Sequence, residues 1–577
     1  MPAVTRSRPR LQFLTENWGI NIYKWLFLIA DTMFSIYNSS ILVYNSSNFL
    51  IQRYTMSKIA IRINQADVVA VALQPLTKGT QVTLEAMDDV PEVTVTLQED
   101  ITAGHKFAIK EIKKGEPVIK YGYPIGAATE DIAVGKHVHT HNIHTLLSGE
   151  LAYTYDEAKA KAAYDAWYKD TEKLRANVPT VNVYKRADGR VGSRNEVWIV
   201  PLVGCVNKIS ENLAMWANAK FCGGEPKPSE KGGLEGFFTW THPYGCSQMG
   251  GDKETTAVIL SDLVHHPNAG GVLVVSLGCE ENNVPFFKEH LGEYDENRVK
   301  FMVTQQFEDE MEEGKKLLTE LAEYAKRFKR EEAPLTDIVL GMKCGGSDGM
   351  SGITANALIG RICDAMTGMG GRVMLTEVPE MFGAEQMLMN RCVDKDRFDK
   401  TVNLINGFKG YYARHNQVCY ENPSPGNKAG GITTLEDKSL GCVQKGGKAP
   451  VTGVLKYGER LPQNVTGLTL LEGPGNDIVS TTDMTAAGAN IILFSTGRGT
   501  PLGAPVPTVK IATNHPLAKN KHGWIDFDAA DLLDEPSDKV RDRLLQMIID
   551  IVSGRAVTKN EKNGYREIAI FKDGVTL

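Results

Sequence analysis

With 577 residues the chain can fold as roughly two to four domains, each with a full hydrophobic core. Its net charge of −6 gives no long-range attraction to nucleic acid or anionic membranes, so both partner classes are set aside. Nine cysteines, an odd number and never densely clustered, argue against a secreted disulfide framework and for a reducing compartment.

Residues 1–55 are rich in Asn, Ser, Tyr, Ile and Phe and poor in acids. The apolar run 25–34 is interrupted by Asp31 and followed by Asn38, Ser39 and Ser40, short of the ~18 to 20 apolar residues that a membrane span needs. Arg6, Arg8 and Arg10 suggest a signal peptide, but no small-residue cleavage site follows. Met56 opens a patterned strand at 57–63, so the preceding segment is expected to be a disordered leader or upstream sequence from a misassigned start.

Between 56 and 150, short alternating runs at 68–73, 81–84, 93–97, 106–109 and 117–121 predict a small β module. It ends at 135–142, where an extended backbone would put His137, His139 and His141 on one face. Three imidazoles in register, with His105 near a loop, suit a metal or a carboxylate ligand; a surface strand that merely carries histidine is the alternative. Residues 151–180 form a charged helical linker.

An α/β domain follows at 181–332. Its entry carries Arg186, Arg190, Arg194 and Asn195, which could grip a carboxylate or equally be a solvated basic turn. Strands at 196–203, 271–277 and 298–303 and helices at 254–265 and 307–328 predict a mostly parallel sheet, whose ligands gather at the carboxyl ends of strands. Gly204-Cys205, Gly245-Cys246 and Gly278-Cys279 all occupy loops of that kind.

The last domain, 333–577, opens with a strand at 337–341, a glycine-rich turn at 343–352 and a helix at 353–369. The glycines allow close backbone approach to a ligand, and Cys344, Ser347, Asp348, Ser351 and Asn356 place polar chemistry there. A strand at 371–380 ends in Glu377 and Glu380, Cys442 sits in another glycine loop, and Arg498 between glycines is a candidate anion clamp. A helix at 540–552 and a strand at 567–571 are expected to close the domain. The sequence holds no paired Cys-x-x-Cys, Walker or complete dinucleotide motif, which argues against structural zinc, nucleotide hydrolysis and NAD. Dispersed, loop-borne cysteines fit a mononuclear Fe(II) or Mn(II) site with mixed ligands better, with an iron–sulfur cluster as the lesser alternative.

From residue 56 to the end the sequence resembles the altronate and galactarate dehydratases. The resemblance is carried by His137 to Asn142, Arg186 to Asn195, Tyr244 to Gln248, Lys343 to Gly352, Glu377 to Glu380 and Gly441 to Gln444. Residues 1–55 have no counterpart in it. It implies a multidomain α/β protein: a small β-clip (SAF-like) module, then two α/β domains with mostly parallel sheets. It also implies a cytoplasmic, Fe(II)-dependent hydro-lyase, expected to convert D-altronate to 2-keto-3-deoxy-D-gluconate and to be a homo-oligomer. The metal ligands would come from His137, His139, Cys246, Cys279, Cys344 and Cys442. Substrate binding would fall to Arg186, Arg194, Asn195, Ser347, Asp348, Asn356 and Arg498, and acid–base work to His139, His141, Lys343 or Glu377. Competing readings are a galactarate dehydratase, a sulfolactate sulfo-lyase and a non-catalytic sugar-acid sensor.

Overall fold

Short antiparallel strands build the first part of the computed structural model, which describes residues 58–574; the expected leader lies outside the described residues. Ala60–Ile61, Val69–Ala72, Lys106–Ala108 and His137–Val138 form one sheet. Gln81–Leu84 pairs with Val93–Thr96, and Pro117–Lys120, Tyr123–Ala128 and Ile143–His144 form a third sheet. Period-two alternation drives the packing: Val82 and Leu84 point inward while Gln81 and Thr83 are exposed, and Ala70, Val95 and Phe107 complete the core. The first strand is shorter than expected, and Tyr123–Ala128 is an addition to the expected set.

The linker helix is Glu157–Asp170, capped where the Asp156 side chain accepts from Lys159 N. Beyond it, β1 (Glu196–Pro201), β2 (Phe237–Thr239), β3 (Ala269–Ser276) and β4 (Val299–Val303) make an all-parallel sheet in the order β2-β1-β3-β4. Helices α1 (Asn207–Cys222), α2 (Gly250–His265), α3 (Val284–Leu291) and α4 (Glu310–Ala325) alternate with the strands. Both faces are covered: Trp198 and Val200 enter one core, Val197 and Ile199 the other, so β1 and β3 are buried throughout their length.

The C-terminal sheet has seven parallel strands. They are β5 (Val339–Cys344), β6 (Arg372–Leu375), β7 (Val451–Leu455), β8 (Gly467–Leu471), β9 (Ile491–Thr496), β10 (Thr508–Ala512) and β11 (Phe527–Asp528), in the order β7-β8-β6-β5-β9-β10-β11. The chain runs from β5 to β6 on one side and later returns to β9 on the other, which places a topological switch point between β5 and β9. Helices α5 (Ala355–Gly368), α6 (Lys395–Arg414), α7 (Leu435–Cys442), α8 (Asp477–Ala486) and α9 (Ser537–Val552) accompany the sheet.

Two expectations change. Residues 567–571 are not a strand: Ala569 N donates to the Thr482 hydroxyl and Phe571 N to the Tyr457 hydroxyl, while Ile568 and Ile570 enter the central core. Alternating apolar residues here mark an extended strap whose amides are satisfied by side chains. The boundary expected at 332 falls inside a strand, Glu331–Pro334, which pairs back onto Thr180–Lys185. Among the described residues no helix is long and apolar enough to cross a membrane.

Candidate active site

Ligands of open α/β sheets collect beyond the carboxyl ends of the strands at the switch point. Here that crevice is a cleft of ≈ 810 Å³ lined by Gly345, Gly346, Glu380, Asn422, Lys438 and Asp477. Gly345 is required because a β-carbon there would lie 2.5 Å from an Asp477 carboxylate oxygen. Across the switch point, Arg498 N donates to Gly346 O at 2.9 Å. The exposed Arg498 guanidinium makes no hydrogen bond or ion pair among the described residues.

Behind the cleft lies a buried polar network. Lys343 Nζ donates to Glu377 Oε1 at 2.5 Å and lies 2.8 Å from Asp477 Oδ1. Lys445 Nζ reaches Cys344 Sγ at 2.7 Å and Glu377 Oε2 at 3.2 Å, and Lys438 Nζ lies 2.7 Å from Glu380 Oε1. Cys344 Sγ and Cys442 Sγ are 3.4 Å apart, both within 3.2 Å of Glu380 Oε2. Three ammonium groups thus face three carboxylates. Burial alone would neutralise Lys343, but Asp477 and Glu377 outweigh it and hold its pKa above the usual value. Lys343 is therefore an ammonium, and the role of base considered for it is ruled out by its partners. Burial would likewise raise the Glu380 carboxyl, yet Lys438, Lys445 and Lys343 hold it below its ordinary range. The Cys442 thiol is pushed up by its hydrogen bond with Cys344 and by burial. Glu377 adopts φ 72°, a left-handed conformation that costs a residue with a β-carbon about 1 to 3 kcal/mol and is characteristic of functional positions.

The histidines form a second donor set. The stretch expected to run straight through 137, 139 and 141 turns instead, because His139 N donates to Asn142 Oδ1 and Asn142 N to His139 O, both at 3.0 Å. His141 swings into solvent, its ring tilted 40° against His137 with centroids 5.4 Å apart, and His105 takes its place. Ring nitrogens of His105, His137 and His139 lie within 4.8 Å of one another. His105 Nε2 is 3.3 Å from Ala429 O; with its proton donated there, Nδ1 turns a lone pair toward His137 Nε2 at 3.0 Å. His139 Nδ1 is buried without a hydrogen-bond partner. Burial, aided by neighbouring cations and imidazoles, depresses His137 to about 4 and His139 to about 3. Neutral rings with converging lone pairs and one orphaned nitrogen are the donor chemistry of a divalent metal.

Both sets meet on the glycine turn. Its start, Gly345 and Gly346, lines the cleft, whereas its far end, Gly349, packs so closely on Gly104, next to His105, that a β-carbon would overlap Gly104 O. Lys106 Nζ fixes the module by donating to Gly431 O at 2.7 Å and Asp437 at 2.8 Å, and Lys120 reaches the other Asp437 oxygen at 2.9 Å.

Other predicted residues are elsewhere or already engaged. Arg186 donates to Pro267 O, Asn195 Oδ1 and Arg194 O; Arg194 is buried against Glu561; Asn195 Nδ2 donates to Gly233 O and Ala325 O. These three brace the start of the central domain, away from the cleft. Asn356 ties Gly441 O to the Ser495 hydroxyl. Asp348 accepts from Ser351, Met350 N, Thr513 and Asn514, shaping the turn, and Ser347 O accepts from Asn427. Cys246 and Cys279 lie on central-sheet loops, not with Cys344 and Cys442. Sequence reasoning passed over Lys438, Lys445 and Asp477; the one signal was their place beside Cys442 and after a glycine loop.

Three family models match the chain in order: the altronate/galactarate dehydratase SAF domain over 58–146, the D-galactarate dehydratase/altronate hydrolase second domain over 183–326, and the D-galactarate/altronate dehydratase C-terminal domain over 335–576. Altronate dehydratase of Escherichia coli K12 is 49% identical over 520 residues, covering 90% of this chain and 99% of its own. Altronate dehydratase of Bacillus subtilis 168 is 47% identical over 525 residues, 90% of this chain and 100% of its own. Galactarate dehydratase (L-threo-forming) of E. coli K12 is 28% identical over 547 residues, 91% of this chain and 99% of its own.

Proposed function

The chain belongs to the D-galactarate/altronate dehydratase family of hydro-lyases, and on that premise we propose that it removes water from D-altronate to give 2-keto-3-deoxy-D-gluconate. The observation that carries the choice of substrate is the contrast between 49% identity to an altronate dehydratase and 28% to a galactarate dehydratase over nearly the same span. Nine cysteines without a disulfide support the cytoplasm as its location.

An aldonate has a weakly acidic C2 proton beside its carboxylate and a poor hydroxide leaving group at C3. A base takes the C2 proton, the C2–C3 double bond forms as the C3–O bond breaks, and the departing hydroxyl leaves as water once protonated; the enol then tautomerises to the 2-keto acid. His105, His137 and His139 would hold the divalent cation, Fe(II) first and Mn(II) second, and when bound it supplies Lewis acidity that stabilises the charge growing on the carboxylate. Lys438 and Arg498 bind the acid end of the substrate, and Glu380 and Asp477 accept hydrogen bonds from its hydroxyls. Lys343, its three N–H groups engaged by Cys344 O, Glu377 and Asp477, fixes Asp477 at the cleft wall, and the leaving hydroxyl takes up the proton that the base has removed from C2. His141, the imidazole outside the donor set, takes the C2 proton.

The test is protein prepared anaerobically with Fe(II) and offered altronate, galactarate and sulfolactate in parallel. A 2-keto acid from altronate at the highest kcat/KM is expected. No 2-keto acid and no sulfite from any of the three would sink the dehydratase reading, and a preference for galactarate would overturn the substrate.

A further inference from the structure

The turns after β1, β2 and β3 each carry a glycine-cysteine pair, and none of these cysteines belongs to the cleft or to the histidine cluster. Ile199 of β1 pairs with Thr239 of β2 on one side and Leu273 of β3 on the other. From that rung Cys205 lies six residues on, Cys246 seven and Cys279 six. β1, β2 and β3 end at Pro201, Thr239 and Ser276, so the three cysteines follow in the turns of adjacent parallel strands at one end of the sheet. They stand at its switch point, between β1 and β3.

The turns are fastened to one another. Gly204 N donates to Tyr244 O at 2.9 Å, Asn282 N to Gly245 O at 3.1 Å, and Asn282 Nδ2 to Leu202 O at 3.1 Å. Buried side chains brace them from below. Gln248 Oε1 accepts from Gly245 N and Thr256, and Glu280 accepts from Ser276, Leu277 N and Gly278 N. Ser247, beside Cys246, is held at φ 56°. Asn282 Oδ1, between the same turns, is buried with no hydrogen-bond partner. On this rigid base all three cysteines are exposed, whereas Cys344, Cys363, Cys392 and Cys442 are buried as free cysteine usually is. The turns lead into α1, α2 and α3. Gln305 Nε2 donates toward Cys279 Sγ at 3.7 Å.

We propose that Cys205, Cys246 and Cys279 are the three protein ligands of an iron–sulfur cluster seated on the central domain. One tetrahedral ion with bonds of about 2.3 Å would draw its sulfurs to roughly 3.8 Å. Donor atoms lie within 4.8 Å of one another inside each of the triads His105–His137–His139, Cys344–Glu380–Cys442 and His515–Asp528–Asp531, and the three loop cysteines do not form such a triad. A cluster interposes several irons and bridging sulfides, so it takes a wider spread of thiolates, and three ligands leave one iron of a [4Fe–4S] cube without a protein sulfur.

Full-length protein, isolated anaerobically and reconstituted with ferrous iron and sulfide, is analysed for iron and acid-labile sulfide and by EPR after reduction. Expected are about four sulfides per chain with a broad visible charge-transfer absorption. Cys205→Ser, Cys246→Ser and Cys279→Ser should each cut the sulfide at least fivefold with unchanged circular dichroism. Cys222→Ser, Cys419→Ser and His137→Ala should keep it. Absence of labile sulfide in the wild type, a stoichiometric single ion in its place, or retention of the cluster in the three serine variants would each overturn the proposal.

Discussion

Arg194 shows how far a side chain's role depends on what lies opposite it. Its guanidinium is wholly buried, donating through Nε and Nη2 to Glu561 at 2.7 and 3.1 Å and through Nη1 to Ser193 O and Ile551 O. Sequence alone identifies a planar cation in a basic stretch, but a partner 367 positions away is invisible to it. Lys438 and Lys445 were missed for the converse reason, since a lysine with no local pattern reads as surface until the fold aims it at Glu380 and Cys344. Glycines and cysteines after apolar runs were legible because local backbone needs dictate them. Arg194→Met leaves the Glu561 carboxylate buried and unpaired, at a cost of about 3 to 5 kcal/mol. A thermal midpoint several degrees lower, with the KM for altronate unchanged in the folded enzyme, is expected. A raised KM at unchanged stability would return Arg194 to the substrate.

At the scale of elements, the turn after β5 carries two jobs in one short stretch. Apolar periodicity and glycine spacing made the strand, turn and helix readable, because those signals act within a few residues. The partner of each glycine was not readable. Gly345 makes room for Asp477 from α8, and Gly349 makes room for Gly104 from the β module. The histidine stretch failed the opposite way: alternation was present, but the Asn142 hydrogen bonds turn the chain and exchange His141 for His105. Gly349→Ala meets backbone that cannot yield, so the module must shift off the turn that supports His105. We expect kcat/KM to fall more than tenfold, with reduced iron at the histidine set. Gly407, exposed within α6 and with nothing near its missing β-carbon, is the control. Gly407→Ala should gain about 0.5 to 1 kcal/mol from helix propensity and keep full activity. Equal activity of the two variants would remove the module from the site.

Across the whole molecule, the order of β module and two parallel sheets could be read from strand and helix periods. The way the parts lock together could not. The C-terminal strap crosses into the central core, Asp437 holds two lysines of the module, and His266 of the central domain donates to Ala489 O of the C-terminal one. That last contact makes stability sensitive to acid. Burial holds His266 at about 3 and His242 at about 4. Each ring is satisfied only when neutral: Nε2–H donates to Ala489 O or Pro201 O, and Nδ1 accepts from Asn268 N or Tyr244 N. Both folded pKa values lie below the unfolded value of about 6.5. Above that pH the two histidines bind no protons in either state. As pH falls through 6.5 the unfolded chain takes up protons that the folded chain refuses, so each costs about 1.4 kcal/mol of stability per pH unit, down to its folded pKa. Asp262, pushed up to about 7 by burial, acts in the opposite sense, so the informative quantity is a difference between variants. Between pH 6.5 and 4.5, wild type should lose about 2.3 kcal/mol more than His266→Gln, measured by denaturant unfolding at each pH. Parallel curves for the two proteins would show that His266 already carries its proton in the folded state, and the neutral lock between the domains would be refuted.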